Sequence, residues 1–190
     1  DAHARIKNVI VKTPFSHAPR LSQEAGCNVY LKKENLQVTG AFKIRGAYNK
    51  IASLSDAERS RGVIAASAGN HAQGVAMAAQ MFGTRALIVM PESTPLTKIN
   101  GVSYYGAEVI LAGGNYDEAY AYAARYGEEN GMVFVHPFAD EAVMAGQGTI
   151  ALEMLECIGD LDAIIIPVGG GGLISGMASA IKALAPHIRV

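Results

Sequence analysis

The sequence lacks several features that would assign it quickly to a class of protein. Its 190 residues include only two cysteines, Cys27 and Cys157, which lie far apart in the chain. This usage argues against a disulfide framework and favours the reduced thiols of a cytoplasmic protein. Neither cysteine has a neighbouring histidine or a glycine-rich helix start to activate it, which disfavours a catalytic thiol. The longest apolar runs are far too short to span a bilayer, so no membrane partner is expected.

The sequence also lacks an excess of charge of either sign. Sixteen basic and 17 acidic residues leave a formal net charge of −1. This balance provides no electrostatic attraction for nucleic acid or for an anionic membrane surface. Half of the residues are hydrophobic, which is enough for a buried core in one domain or two small ones. There are no internal repeats, low-complexity segments or evident linkers.

Short β-branched runs alternate with longer amphipathic stretches, and this alternation predicts an α/β fold with a parallel sheet. The predicted strands are Asn28–Lys33, Val63–Ala66, Ala86–Met90, Glu108–Leu111, Met132–Val135 and Ala163–Val168. The predicted helices are Ala41–Ser53, His71–Phe82, Thr97–Tyr104, Tyr116–Glu129, Glu141–Ile158 and Leu173–Ala185. The run after Pro186 is typical of a strand that is just beginning, so we expect the natural polypeptide to continue. An edge strand that ends a complete domain is the alternative.

Four successive glycines follow the last predicted strand and precede a helix: Gly169, Gly170, Gly171 and Gly172. Backbone N–H groups without side chains can converge on a phosphate at a helix N-terminus, where the helix dipole also favours an anion. A close crossing of helix and strand is the structural alternative. A dinucleotide fingerprint is disfavoured, because Ser175 stands where the third glycine is required.

Ser67, Ala68, Gly69, Asn70 and His71 form a second segment that leads from a strand into a helix. Its small residues allow close approach of a ligand, and the N–H groups at the helix start suit a carboxylate. The Asn70 amide can both donate and accept hydrogen bonds. The simpler alternatives are that Asn70 only caps the helix and that His71 is only a first-turn residue.

Lys43 lies in the first turn of a predicted helix, between Phe42 and Ile44. The helix dipole opposes a cation there and the two apolar neighbours desolvate it, so a lowered amine pKa is expected. A neutral amine is what Schiff-base chemistry requires. Taken alone, Lys43 could equally be a solvated helix lysine. Together with the amide-bearing segment and the glycines, it predicts a pyridoxal 5'-phosphate site.

Three motifs carry a resemblance to a known family. They are Lys33-Glu34-Asn35 with Thr39 to Ala47 (TGAFKIRGA), Ser67 to Gly74 (SAGNHAQG), and Pro167 to Leu173 (PVGGGGL). In this order they resemble the fold type II (tryptophan synthase β-like) pyridoxal-phosphate enzymes, and most closely the threonine/serine dehydratases and serine racemase. The resemblance covers nearly the whole chain, and Val143 to Thr149 (VMAGQGT) adds to it.

The resemblance implies a fold and a set of roles. The fold would be two three-layer αβα domains with mostly parallel sheets: a small lysine-bearing domain at 37–135, and an incomplete large domain from 1–36 plus 136–190. Lys43 would attach the cofactor as a Schiff base and take the substrate's Cα proton, while Phe42 would pack beside the cofactor ring. Further implied cofactor contacts are Asn70 to the phenolic oxygen and Gly169, Gly170, Gly171, Gly172 and Leu173 to the phosphate. Implied substrate contacts are Ser67, Ala68, Gly69, Asn70 and His71 to the carboxylate, and Phe138 is a further expected substrate contact, to the methyl group of threonine.

The implied activity is the dehydration and deamination of L-threonine, with L-serine as a further candidate substrate. Ala68 stands where racemases carry a serine base, and Phe138 stands where they tend to carry asparagine, so dehydration is favoured. Serine racemase, another fold type II activity and an inactive cofactor-binding fragment stay as alternatives.

A homodimer or homotetramer is implied for the full-length protein. The residue that usually contacts the pyridine nitrogen has no counterpart in this chain. No metal ligands are identified, and the metal ligands of some relatives would lie beyond Val190. A biosynthetic role, in isoleucine formation, and a catabolic role both stay open.

Overall fold

The computed structural model describes residues 1–190 as an α/β fold. Six strands run in chain order: β1 Phe15–His17, β2 Tyr30–Lys32, β3 Val63–Ala66, β4 Ala86–Met90, β5 Glu108–Leu111 and β6 Val133–Phe134. The helices are α1 Ala2–Ile6, α2 Pro19–Ala25, α3 Lys43–Ser53, α4 Asp56–Arg61, α5 Asn70–Met81, α6 Leu96–Ser103, α7 Tyr116–Glu129, α8 Glu141–Cys157 and α9 Gly172–Leu184, with a 3₁₀ turn at Glu34–Leu36. None of these helices combines the length and the apolar character needed to cross a membrane.

A four-stranded sheet of order β5-β4-β3-β6 forms the centre, and all of its strands are parallel. Every residue of β3 and β4 is buried, because helices cover both faces of a parallel sheet. The core on one face includes Ile44 of α3 and Val75 of α5, whereas the core on the other includes Ala119 and Ala123 of α7. This sheet places the ends of β3 and β6 next to each other, where two segments of the site begin.

A second apolar core lies between α8 and α9 and includes Ile150, Met154, Met177 and Ile181. Helix α8 also packs against α3, so it joins the two cores. The chain backbones approach closely at these crossings. A Cβ added to Gly146 would lie 2.6 Å from Gly46 Cα, and one added to Gly176 would lie 2.0 Å from Met144 O. These helices can therefore pack at their observed distance only with glycine at the crossing points.

Most of the predicted elements are present. The bounds predicted for β3, β4, β5 and α7 agree with the structure, and the other predicted helices begin or end within two residues of the observed ones. The strand predicted at Asn28–Lys33 is shorter and pairs antiparallel with β1, which the sequence pattern did not predict. The strand predicted at Met132–Val135 is limited to two residues.

The strand predicted at Ala163–Val168 is wrong. Its only ladder contact is an isolated parallel bridge between Ala163 and Arg189, in the run after Pro186 where the beginning of a strand was expected. Ile165 is 97% exposed and Val168 is 63% exposed. The apolar pattern is right for a buried strand, but a strand exists only where a neighbour pairs with it. The division at 37–135 encloses the entire four-stranded sheet and stays a prediction.

Candidate active site

Lys43 is the first residue of α3, and its side chain is half-buried. Its Nζ donates a hydrogen bond to the carbonyl oxygen of Pro137 at 2.7 Å and lies 5.5 Å from the centroid of the Phe42 ring. Burial lowers the pKa of the Lys43 amine from its ordinary value. The expected position in the first turn is therefore confirmed. The lowered pKa favours the neutral amine, which is the form that a nucleophile requires.

The backbone around Lys43 is held closely by a glycine of α5. A Cβ added to Gly74 would lie 3.1 Å from Ile44 N and 3.2 Å from the carbonyl carbon of Lys43. Ile44 itself is fully buried in the core beneath. Because the neighbouring helix contacts the peptide unit itself, the position of the lysine does not depend on flexible side chains around it.

The segment Ser67 to His71 connects β3 to α5, whose N-cap is Gly69. Asn70 is the first residue of the helix and is exposed, and its side chain makes no capping hydrogen bond. The alternative that Asn70 serves only as an N-cap is therefore wrong. The Ser67 hydroxyl accepts a hydrogen bond from Gly69 N at 3.2 Å. The first N–H groups of α5 have no partner within the helix, so they are free to bind an anion.

His71 is 3% exposed, and its Nε2 lies 2.8 Å from the carbonyl oxygen of Val135. Its Nδ1 is buried without a hydrogen-bond partner. Burial lowers the pKa of His71 to about 4, so the ring is neutral at physiological pH. Nε2 therefore carries the proton that is donated to Val135, and Nδ1 is an acceptor that the protein leaves unused.

The four glycines lie at the N-terminus of α9, and they divide into two pairs. A Cβ added to Gly170 or to Gly172 would lie 2.3 Å or 2.7 Å from atoms of Phe138, so both are required for packing. Gly169 and Gly171 face open space, and Gly171 has a φ of +87°, which favours glycine. The loop thus leaves its backbone unobstructed at Gly169 and Gly171, at a helix N-terminus of the kind that holds a phosphate. Leu173 follows in the first turn of α9 and packs in the same core as Phe42.

A short connecting segment, Val135 to Phe138, brings the three motifs together. It leads out of β6, and each motif contacts a different part of it. Val135 O binds His71 and Pro137 O binds Lys43, while Phe138 packs its ring against Gly170 and its backbone and Cβ against Gly172. The three motifs predicted from the sequence therefore surround one segment of four residues. The side chain of Asn70 makes no hydrogen bond to any other protein group, so its predicted contact remains a prediction.

A buried ionic network around Arg45 lies next to Lys43 in the chain, and no role was predicted for its residues from the sequence. Arg45, fully buried, uses all five of its N–H donors: two to Glu34, two to Glu153 and one to Thr149. Lys32 also pairs with Glu153. Burial raises the pKa of Glu153, but the hydrogen bonds from Arg45 and Lys32 outweigh it and hold that pKa below its ordinary value. Glu34 and Arg45, which lie in the first motif, were the signal in the sequence that could have indicated this network.

The arrangement suits one kind of cofactor. A half-buried amine of lowered pKa can form a Schiff base with a carbonyl, and an aromatic ring lies beside it. The glycine loop at the start of α9 is open where a phosphate would lie, so the residues fit a carbonyl compound that carries a phosphate. The fold and the site together define an α/β enzyme that holds its cofactor on a lysine.

Comparison with known proteins identifies the family. Residues 6–190 match the pyridoxal-phosphate-dependent enzyme family, and the chain belongs to it. Its fold is that of the fold type II, tryptophan synthase β-like members. Over its full length the chain is 57% identical to an L-threonine ammonia-lyase of Thermotoga maritima, of which it covers 47%.

Two solved structures are closely similar. The processed form of threonine deaminase isoform 2 from Solanum lycopersicum has a TM-score of 0.95 at 45% identity, with 98% of this chain and 52% of that chain covered. Maize serine racemase has a TM-score of 0.95 at 41% identity, with 99% and 57% covered. The chain therefore spans about half the length of the relatives it matches.

Proposed function

We propose that the complete protein is a pyridoxal-phosphate-dependent threonine ammonia-lyase. The reaction removes the Cα proton and the β-hydroxyl of L-threonine and yields 2-oxobutanoate and ammonia. L-Serine, which has the same β-hydroxyl, is the second candidate substrate. The observation that carries the proposal is the half-buried Lys43 amine, joined through the connecting segment to an open glycine loop. The identity of 57% to an L-threonine ammonia-lyase supports the choice of reaction.

Lys43 is proposed to move the Cα proton. A neutral amine has two N–H donors and one lone pair, and one donor is used by Pro137 O at 2.7 Å. This bond fixes the direction of the nitrogen while the lone pair stays available to accept a proton. The lowered pKa increases the fraction of the free amine in the basic form, which is the form that a general base requires. Pyridoxal phosphate, when bound, supplies the electron sink for the bond that is broken at Cα.

The two helix N-termini are proposed to bind the two anionic groups. The N–H groups from Gly169 to Leu173, at the start of α9, would hold the cofactor phosphate. The N–H groups of the segment from Ser67 to His71, at the start of α5, would hold the substrate carboxylate. Both helices have more than ten residues, so each has a full dipole at its N-terminus. Binding at both ends orients the substrate Cα toward the lysine without a charged side chain in either loop.

Two residues support a dehydratase over a racemase. Racemization needs a second base on the cofactor face opposite the lysine, and Ala68, at the position where racemases carry that base as a serine, has no hydroxyl. Phe138 supplies an apolar surface next to the glycine loop, which favours the methyl group of threonine over a polar contact. A single methyl contact discriminates by roughly 10- to 200-fold at most. Serine racemase is kept as the second candidate because the maize enzyme has a TM-score of 0.95 to this chain.

The wider setting is also proposed by analogy with the relatives. We expect the complete protein to act in the cytoplasm as a homodimer or homotetramer. An isoleucine-biosynthetic role and a catabolic role are both compatible with the residues in this chain. Assay of the complete protein for inhibition by isoleucine would separate the two, because feedback by the pathway product is expected only of the biosynthetic form.

The test is to record the absorbance of the complete protein with pyridoxal phosphate and then to assay 2-oxobutanoate after addition of L-threonine. A Schiff-base band and keto-acid release are expected in the wild type and in K7A, a control at an exposed lysine of the N-terminal region. Both should be lost in K43A. D-Serine formation from L-serine without 2-oxobutanoate would favour the racemase instead. An unchanged band in K43A would refute the assignment of the lysine.

A further inference from the structure

His136 makes an unusual pair of hydrogen bonds within the connecting segment. Its Nδ1 accepts from the backbone N–H of Phe138 at 3.2 Å and from that of Ala139 at 2.8 Å. Backbone N–H groups can only donate, so Nδ1 carries no proton and the ring is neutral with its proton on Nε2. The side chain therefore holds a tight turn in the way that an asparagine side chain does in an Asx turn.

The turn held by His136 determines the direction of two groups of the site. In the chain, Pro137 lies between His136 and the two residues whose N–H groups donate to its ring. The carbonyl oxygen of Pro137 accepts a hydrogen bond from Lys43 Nζ at 2.7 Å. The next residue is Phe138, whose ring occupies the space beside Gly170 and whose backbone and Cβ lie against Gly172. The rings of His136 and Phe138 also contact each other edge to face, with centroids 4.6 Å apart. A change in the turn would move the lysine contact and the support of the glycine loop together.

We infer that His136 is a positioning residue for the catalytic site, because its unprotonated Nδ1 fixes the turn that directs Pro137 O to Lys43 and Phe138 to the glycine loop. His136 is proposed to act through these neighbours, without touching the reacting atoms itself. The inference rests on the proposed function only for the role of Lys43, and its consequence for cofactor binding is independent of the substrate.

The charges around His136 add a pH dependence to this role. Lys43 of α3, the buried ring of His71 in α5, Tyr120 of α7 and Asp140 at the start of α8 all lie near the ring. Burial lowers the pKa of His136, the Asp140 carboxylate opposes this shift, and Lys43, when protonated, lowers the pKa further. Protonation of Nδ1 would place a donor against two donors, so the turn should open as the pH falls below the ordinary histidine range.

Three variants separate the hydrogen bonds from the ring. His136→Asn keeps an acceptor that can reach both N–H groups but loses the ring. His136→Phe keeps the ring contacts to its aromatic neighbours but loses the acceptor. His136→Ala loses both. Cofactor affinity should be measured by absorbance titration in the complete protein, without substrate. We expect H136N to stay close to the wild type, and H136F and H136A to bind the cofactor roughly tenfold more weakly, as the loss of one net hydrogen bond implies.

Two further readouts identify positioning rather than general stability. If the wild type forms 2-oxobutanoate, H136F should lower kcat more than it raises KM, because Lys43 is misdirected while the carboxylate site is intact. In the wild type the cofactor affinity should fall on acidification, and this fall should be smaller in H136N. That comparison of two acceptor-bearing proteins decides the point even if H136F does not fold.

The inference is overturned if H136F binds the cofactor like the wild type while H136N does not, because the ring alone would then matter. Equal affinity in all three variants, or an equal pH dependence in the wild type and H136N, would also overturn it. Absence of 2-oxobutanoate from the wild type would remove the proposed function. The expected order of cofactor affinities among the three variants would still be tested by the titration, which uses no substrate.

Discussion

Replacement of Arg45 by methionine tests how the lysine-bearing helix is held in place. Arg45 is fully buried and joins α3 to α8 through Glu153 and to the 3₁₀ turn through Glu34. Methionine fills much of the same volume, so R45M removes the charge and the five hydrogen bonds without a large cavity. Two carboxylates then stay behind, and Glu153, whose side chain is 3% exposed, retains only Lys32 as a partner in ionic contact.

The cost follows from the burial of the groups left behind. Breaking a buried ion pair by removing one partner typically costs about 3–5 kcal/mol, because the remaining charge is desolvated without compensation. This is a large part of the total stability of about 5–15 kcal/mol that folded proteins have. E153Q alone should cost less than R45M, because Arg45 keeps both hydrogen bonds to Glu34. The double variant R45M/E153Q should recover part of the loss, because no charge is then left facing the lost guanidinium from α8.

The pH dependence has a definite sign. In the wild type the pKa of Glu153 is held below its ordinary value, so its stabilising contribution is present above that value and is lost as the pH falls through the lowered pKa. In R45M the main partner is gone and burial raises the pKa of the same carboxyl. Glu153 then protonates more readily as the pH falls. The difference in stability between the wild type and R45M should therefore be largest at neutral pH and should shrink on acidification.

The assay is urea denaturation of the complete cofactor-loaded protein at neutral pH and at about pH 5, a value close to carboxyl pKa values. The control is Lys12→Met, which breaks an exposed pair with Glu156 that also connects to α8. This control should leave the unfolding midpoint unchanged at both pH values, because exposed pairs contribute little. A loss in R45M no larger than that of K12M, or a loss that grows at the lower pH, would refute the reasoning.

Other predictions concern single residues of the site and of the helix crossings. The contribution of His71 to the free energy of unfolding should fall by about 3 kcal/mol as the pH is lowered from 6.5 to about 4, because its pKa drops from 6.5 to about 4 on folding. In urea denaturation the loss of stability over this range should therefore be smaller in H71Q than in the wild type by about that amount. G170A should lower the melting temperature of the cofactor-free protein because its Cβ would meet the ring of Phe138, whereas G169A should leave that temperature unchanged and weaken cofactor binding in an absorbance titration. G176A should cost about 1–3 kcal/mol in urea denaturation through overpacking against α8, and G159A, where a Cβ meets nothing within 4 Å, serves as the control.

The parts of the fold that could be predicted from the sequence are those marked by an apolar pattern or by residues that cap a helix. The residues of β3 and β4 are buried on both faces, so an unbroken apolar run identified them. Helix α7 could be bounded at both ends, because Asn115 caps its start and Gly131, with a φ of +64°, ends it. A signal for α4 was also present, since Ser55 and Glu58 form a capping box.

The run at Ala163–Val168 shows why pattern alone is insufficient. Its residues are as β-branched as those of β3, yet apart from the single bridge at Ala163 it has no strand beside it and does not form a ladder. Apolar character predicts burial, whereas pairing depends on residues distant in sequence. The same limit applies to the site. Pro137 contacts Lys43 through its carbonyl oxygen, a group that every residue has, so no residue type could have indicated this contact.

The position of Lys43 is set by backbone contacts rather than by the side chains that surround it. On one side Gly74 meets the peptide unit between Lys43 and Ile44, and on the other side Gly146 of α8 meets the backbone of Arg45 and Gly46. Such contacts cannot relax by a change of rotamer, because a backbone atom moves only with its helix. Gly74 and Gly146 therefore have the same physical role, because each lets a neighbouring helix, α5 or α8, pack directly against the backbone of the first turns of α3. Because the backbone of Lys43 is fixed in this way, a single hydrogen bond to the carbonyl oxygen of Pro137 is sufficient to orient the amine.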